Sequence, residues 1–200
     1  MSHYKSNLRD IEFNLFELLG RKEVYGAGPF EEYDADTARE ILAEVARIAR
    51  EDLAASFVDS DRNPPVFDPA TNTAPLPESF KKSYDTWMAA EFWRLQIPEE
   101  IGGQPAPASL NWALAEMVLG ANAPIWMYAT GPSMGSVVHR NGTDRDKRIA
   151  QIMVERGWGA TMVLTEPDAG SDVGAGRTKA TPQRRRLVEH PGRQALHHQR

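Results

Sequence analysis

A chain of 200 residues, 41% of them hydrophobic, can form one domain and a fraction around a real core. It has no cysteine, which excludes disulfides and thiolate metal sites, and no window approaches the run of about 18 apolar residues read as a membrane-spanning helix. The net charge of −5 combines 18 Lys/Arg against 27 Asp/Glu through residue 180 with five Arg against Glu189 thereafter. The acidic body argues against nucleic acid as a partner, and the basic tail has no aromatic residue for stacking and no amphipathic period. Residues 1–7 lack the apolar stretch of a signal peptide, so a soluble cytoplasmic protein is expected.

In chain order, residues 11–19 form a short apolar stretch closed by Gly20. Residues 37–60 read as the clearest helix. Thr37 and Glu40 supply an expected capping box, and Ile41, Leu42, Val45, Ile48, Ala49, Leu53 and Phe57 line one face. Asn63-Pro64-Pro65 ends it, 62–77 is a loop, and 78–94 restarts a helix. After a turn at 97–103 come two apolar helices, about 109–121 and 124–140, broken at 120–124. A helix over 144–156 should turn Ile149, Ile152 and Met153 inward and Arg145, Lys147 and Arg148 outward. Residues 157–164 are small, apolar and β-branched and read as a buried strand, so the pattern changes there from helical to extended.

The strand runs into Thr165-Glu166-Pro167-Asp168-Ala169-Gly170-Ser171-Asp172, a tight turn whose backbone N–H groups can face a phosphate unobstructed. Glu166 and Asp172 read as turn-stabilising carboxylates rather than an acid–base pair. Gly174-Ala175-Gly176 lacks the third glycine and following helix of a dinucleotide fingerprint, and adjacent His197-His198 make no metal site. His139 reads as a cation at a helix C-terminus, and Trp87, Trp93, Trp112 and Trp126 as core.

The run 165–172 resembles the T-E-P-x-A-G-S-D signature of acyl-CoA dehydrogenases. Ile97-Pro98-Glu99-Glu100-Ile101-Gly102-Gly103 resembles that family's P-E-E-x-G-G turn, and Asn141-Gly142-Thr143 with Glu155-Arg156-Gly157 resembles its approach to the flavin strand. The likeness covers roughly 37–180. Val163 departs from it, standing where a smaller residue is usual. Four segments follow: 1–36, resembling an extension of a larger bacterial subgroup; 37–156, a helical domain; 157–183, the start of a flavin-binding β-domain; and 184–200. The expected fold is therefore mainly α, the N-terminal helical domain of that family followed by the truncated start of a β-domain.

The resemblance implies FAD-dependent α,β-dehydrogenation of acyl-CoA in fatty-acid β-oxidation, with an electron-transferring flavoprotein as acceptor and homo-oligomeric full-length relatives. It places Met162, Leu164 and Thr165 against the isoalloxazine and Gly170 and Ser171 near the FAD pyrophosphate, with Ser171 also touching acyl-CoA. The family's catalytic glutamate lies beyond residue 200, so no catalytic residue and no metal ligand is assigned, and the chain is expected to be inactive alone. A non-catalytic helical interaction module and a fragment of an acyl-CoA oxidase are the alternative readings. An unpartnered last strand and apolar helices over 109–140 would make such a chain prone to association.

Residues 184–200 are expected to be a frameshifted, non-native tail. A permitted choice of codons for 184–199, read from the second base, gives Asp-Asp-Gly-Ser-Trp-Asn-Ile-Gln-Gly-Val-Lys-Arg-Phe-Ile-Thr, a turn and strand of the kind the family shows next. Genomic DNA should carry that second frame, and its absence refutes the frameshift.

Overall fold

The computed structural model describes residues 3–179, 181–182 and 188–189. It divides into two units, Met1–Gly159 and Ala160–Arg200.

Among the described residues, the first unit is built from helices and helical turns, with an isolated bridge between Asp68 and Thr73 in the loop after Arg62. α1 (Leu8–Glu12) widens into a π-helical turn, Phe13–Leu18, and Gly20 then leaves the helix in the left-handed region at φ 58°. Ile11, Leu15 and Phe16 are buried. Three polar or close contacts fix this segment against residues about a hundred positions later. The Ser6 hydroxyl donates to Met117 Sδ at 3.5 Å, the Tyr25 and Ser109 hydroxyls lie 3.0 Å apart, and Tyr33 donates to the Gln104 carbonyl at 3.0 Å. Tyr4 packs so closely on Gly120 that a Cβ there would come within 2.7 Å of its ring. Residues 1–36 thus contribute to the core itself.

α2 (Ala35–Ile48) starts earlier than the sequence suggests. Its cap is Asp34, whose carboxylate accepts the Asp36 and Thr37 N–H groups at 3.0 and 2.7 Å, so the expected Thr37–Glu40 capping box is replaced by a cap one turn upstream. The helix continues through a π-helical turn (Ala49–Leu53) and a 3-10 turn (Ala54–Ser56) into α3 (Phe57–Arg62). Leu42, Val45, Ala49 and Leu53 are fully buried, and Ile48 nearly so, whereas Phe57 at the end of the stripe is exposed. Each such aliphatic side chain contributes about 1.5–3 kcal/mol by burial.

α4 (Glu78–Ala89) presents Phe80, Ser83 and Trp87 to the same core. Past Glu91, in the left-handed region, a 3-10 turn (Phe92–Gln96) buries Trp93 and Leu95. Ile97 and Ile101 join Trp93 and Val154 in a second, smaller core.

α5 (Ala108–Ala129) is broken inside at Asn122 (φ −164°, ψ 90°), two residues before Pro124, as the sequence expects. Asn122 is buried, and its amide donates to the Leu53 carbonyl at 3.3 Å and the Ser56 hydroxyl at 3.0 Å, which ties the kink to the π-helical and 3-10 turns that follow α2. A second interruption at Thr130 went unforeseen. α6 (Gly131–Asn141) begins afresh there with Pro132 in its first turn, where a missing N–H costs nothing. His139 lies in the last turn of α6. α7 (Asp144–Glu155) opens on Thr143 and Asp146 in a reciprocal capping box. α6 and α7 lie side by side, and at Gly135 a Cβ would sit 3.2 Å from the Ala150 carbonyl oxygen. On α7 the buried residues are Ala150, Met153 and Val154; Ile149 and Ile152 are half-buried.

Two expectations are corrected. Trp87 and Trp93 are buried and Trp126 packs on the core, but Trp112 is 71% exposed. Leu119 and Met127 on α5 and Met134 and Val137 on α6 are exposed as well. The run 157–164 is no buried strand. Gly157 ends α7 at φ 58°, the following residues carry no ladder, and Trp158, Met162 and Leu164 are 44%, 62% and 50% exposed. A strand takes its stability from paired neighbours, and none among the described residues pairs with this one. The ladder that does occur joins β1 (Thr181–Pro182) to β2 (Val188–Glu189) antiparallel, Thr181 opposite Glu189. The backbone at 188–189 therefore pairs, although the sequence past Arg184 did not read as strand. The rest of 184–200, including His197-His198, lies outside the described residues.

Candidate functional site

The site belongs to the second unit and is built from one short loop. Residues 160–165 lead in with Met162 and Leu164 exposed and Thr165 half-buried. Glu166-Pro167-Asp168-Ala169 then turns the chain. The Glu166 and Ala169 backbones exchange two hydrogen bonds of 3.1 Å, with Pro167 at the second turn position, where its fixed φ favours the bend. Beyond Gly170 and Ser171, Asp172 leads into a 3-10 turn, Val173–Ala175; its carbonyl accepts the Ala175 N–H at 3.2 Å, and the Val173 carbonyl accepts that of Gly176 at 3.2 Å.

Two features give the loop its chemistry. Gly170 and Ser171 are exposed, and a Cβ built on Gly170 would meet nothing within 4 Å, so the backbone can be approached closely there. The N–H groups of Gly170, Ser171 and Asp172 take no acceptor among the described residues. Three successive donors on an open turn suit an anion.

The second feature is Glu166. Its carboxylate reaches across the loop and accepts the Arg177 N–H at 2.6 Å and the Thr178 N–H at 2.9 Å. Thr178 (side chain, then N–H) and the Arg177 N–H hold the Glu166 carboxyl below the usual glutamate range. The Thr178 hydroxyl lies close to the carboxylate without completing a hydrogen bond to it. Glu166 is thus a turn-stabilising carboxylate, as the sequence suggests, but its partners eleven and twelve residues on leave no periodic or spacing signal. Asp168 and Arg177 approach to 3.5 Å, both largely exposed, a pair that contributes little. Among the described residues no three His, Asp or Glu gather as a metal site, and no helix is long and apolar enough to cross a membrane.

No protein-family model matches the chain. Among curated proteins, the broad-specificity linear acyl-CoA dehydrogenase FadE5 of Mycobacterium tuberculosis is 55% identical over 183 residues, which is 92% of this chain and 30% of that protein. The chain is homologous to acyl-CoA dehydrogenases. Two more distant relatives of this homologue are the 3-methylmercaptopropionyl-CoA dehydrogenase of Ruegeria pomeroyi, 28% identical over 90% of the chain and 31% of the relative, and a butyryl-CoA dehydrogenase of Syntrophomonas wolfei, 28% identical over 91% and 31%. The chain therefore spans about 30% of the length of the curated relatives it matches. An alignment of that length takes in the 165–172 loop. By their names these relatives are dehydrogenases, and so oxidoreductases.

Proposed function

We propose that this chain supplies the helical domain and the first cofactor-facing loop of an FAD-dependent acyl-CoA dehydrogenase, oxidising the Cα–Cβ bond of an acyl-CoA thioester. The observation that carries the reading is the 55% identity to FadE5 over 183 residues, an alignment that takes in the signature loop. The loop's own features support it. The N–H groups of Gly170, Ser171 and Asp172, unpartnered among the described residues, suit an anionic pyrophosphate, and the exposed apolar side chains of Met162 and Leu164 suit a flat ring, with Thr165 beside them to bond its polar edge. FAD, when bound, supplies the hydride acceptor. In this reading the chain's residues bind and orient: Gly170 and Ser171 hold the phosphate portion, and Ser171 also meets the acyl-CoA. Glu166, its carboxylate committed to two backbone N–H groups, acts in this reading as a structural group and not as the proton-abstracting base. The reading brings with it an electron-transferring flavoprotein as acceptor, a homo-oligomer and a cytoplasmic place in β-oxidation.

The test is a chimaera in which the matching segment of FadE5 is replaced by this chain's residues. A folded chimaera should purify with FAD and lose flavin absorbance on anaerobic addition of a linear acyl-CoA, while the 200-residue chain alone should show no dehydrogenation. A folded chimaera that takes up no FAD overturns the proposal.

A further inference from the structure

We propose that Glu166 is a positioning residue, whose carboxylate ties the two ends of the 166–178 loop together and so keeps the Gly170, Ser171 and Asp172 amides turned out for the anionic part of the cofactor. The inference deepens the flavin reading above and rests on it.

Little else closes this loop. Between Glu166 and Thr178 the backbone bonds are local ones, the 166–169 turn and the 3-10 turn over 173–176, neither of which links the loop's beginning to its end. The two bonds from Arg177 and Thr178 to one carboxylate make that link. Arg177 donates to Oε2 and Thr178 to Oε1, so each oxygen takes one N–H; an ionised carboxylate offers both oxygens as acceptors, whereas an amide would set an NH₂ donor against one of the two N–H groups. The fit extends to Gly176, where a Cβ would lie 3.4 Å from Glu166 Oε1 and 3.3 Å from the Val173 carbonyl, tighter than the clamp easily admits. A carboxylate beside an anion site would ordinarily repel the ligand. Here its charge is met by two amides and by the nearby Arg177 side chain, itself 3.5 Å from Asp168, so the negative potential toward the open amides is reduced.

The clamp can be read in the full 200-residue chain without any cofactor. Its carboxyl is held below the ordinary glutamate range, so the closed loop is fully favoured above that range and is lost as pH falls through the lowered value. The amide resonances of Arg177 and Thr178 should follow this one titration and should stop following it in Glu166→Gln. In the FadE5 chimaera, FAD affinity measured by flavin fluorescence should fall about tenfold or more for Glu166→Ala, and by less for Glu166→Gln, which keeps one acceptor. Amides that do not titrate overturn the clamp. Amides that lose their signature while both variants hold FAD as tightly as the parent overturn the positioning role and leave the flavin reading standing. An unsubstituted chimaera that takes up no FAD overturns the flavin reading, and the inference falls with it.

Discussion

Gly103→Ala should destabilise the helical unit by about 3 kcal/mol, measured by urea unfolding. A Cβ at this position would lie 1.9 Å from the Ile97 carbonyl oxygen, 2.2 Å from its carbon and 2.6 Å from Ile97 Cβ. These are backbone atoms or rigidly attached to backbone, and no rotamer change moves them. The turn is also held on both sides: Gly103 donates to Pro98 at 3.0 Å, Gln104 to Arg94 at 3.0 Å and Ala106 to Leu95 at 2.8 Å. Shifting it pulls on Ile97 and Ile101, which with Trp93 and Val154 make up the smaller core. Neighbouring Gly102 offers the contrast. It needs a left-handed backbone, φ 89°, but its Cβ would touch nothing nearer than 3.7 Å, so Gly102→Ala should cost only about 1–2 kcal/mol. Equal losses for the two variants would refute the close-approach argument.

Trp87→Ala should cost about 4 kcal/mol, while Trp87→Phe should cost a fraction of that. The indole is fully buried, with Phe92 and Trp126 rings at 6.3 and 6.4 Å, so alanine leaves a large cavity. Its Nε1 has no acceptor among the described residues, however, and a buried donor without a partner carries its own desolvation penalty of about 1–3 kcal/mol. Phenylalanine removes part of the ring and the orphan donor together, and the two effects oppose each other. Urea midpoints for the two variants check this; a Phe variant as unstable as the Ala variant would show that the N–H is satisfied.

The helices were legible because burial enforces the 3.6-residue period. Leu42, Val45, Ala49 and Leu53 recur on one stripe, and the structure buries all four. The break at Asn122 was legible because Pro124 cannot donate. The start of α2 was misplaced because Asp34 and Thr37 are both good caps, and which one caps depends on where the preceding chain, Tyr25 to Tyr33, is anchored. Trp112 shows the limit of composition: an aromatic residue in an apolar helix is read as core, yet the outer face of α5 bears it. Residues 157–164 have the β-branched, apolar character of a strand, but strand formation is a property of the pair. At the site, the Pro and Gly positions announced the turn and its open backbone, whereas Glu166's grip on residues 177 and 178 is a tertiary contact with no local pattern.

The way the first forty residues are seated bears on how the protein is made. Tyr4, Ser6 and Tyr25 rest on Gly120, Met117 and Ser109, and the turns that follow α2 are held by Asn122. Until synthesis passes about residue 125, the surface on which these early residues rest does not exist, and pairings of such high sequence separation slow folding. At typical synthesis rates of about 5–20 residues per second, the opening helices must wait several seconds before the core can close. During that interval Ile11, Leu15 and Phe16 depend on chaperones or on transient local contacts for shelter from water.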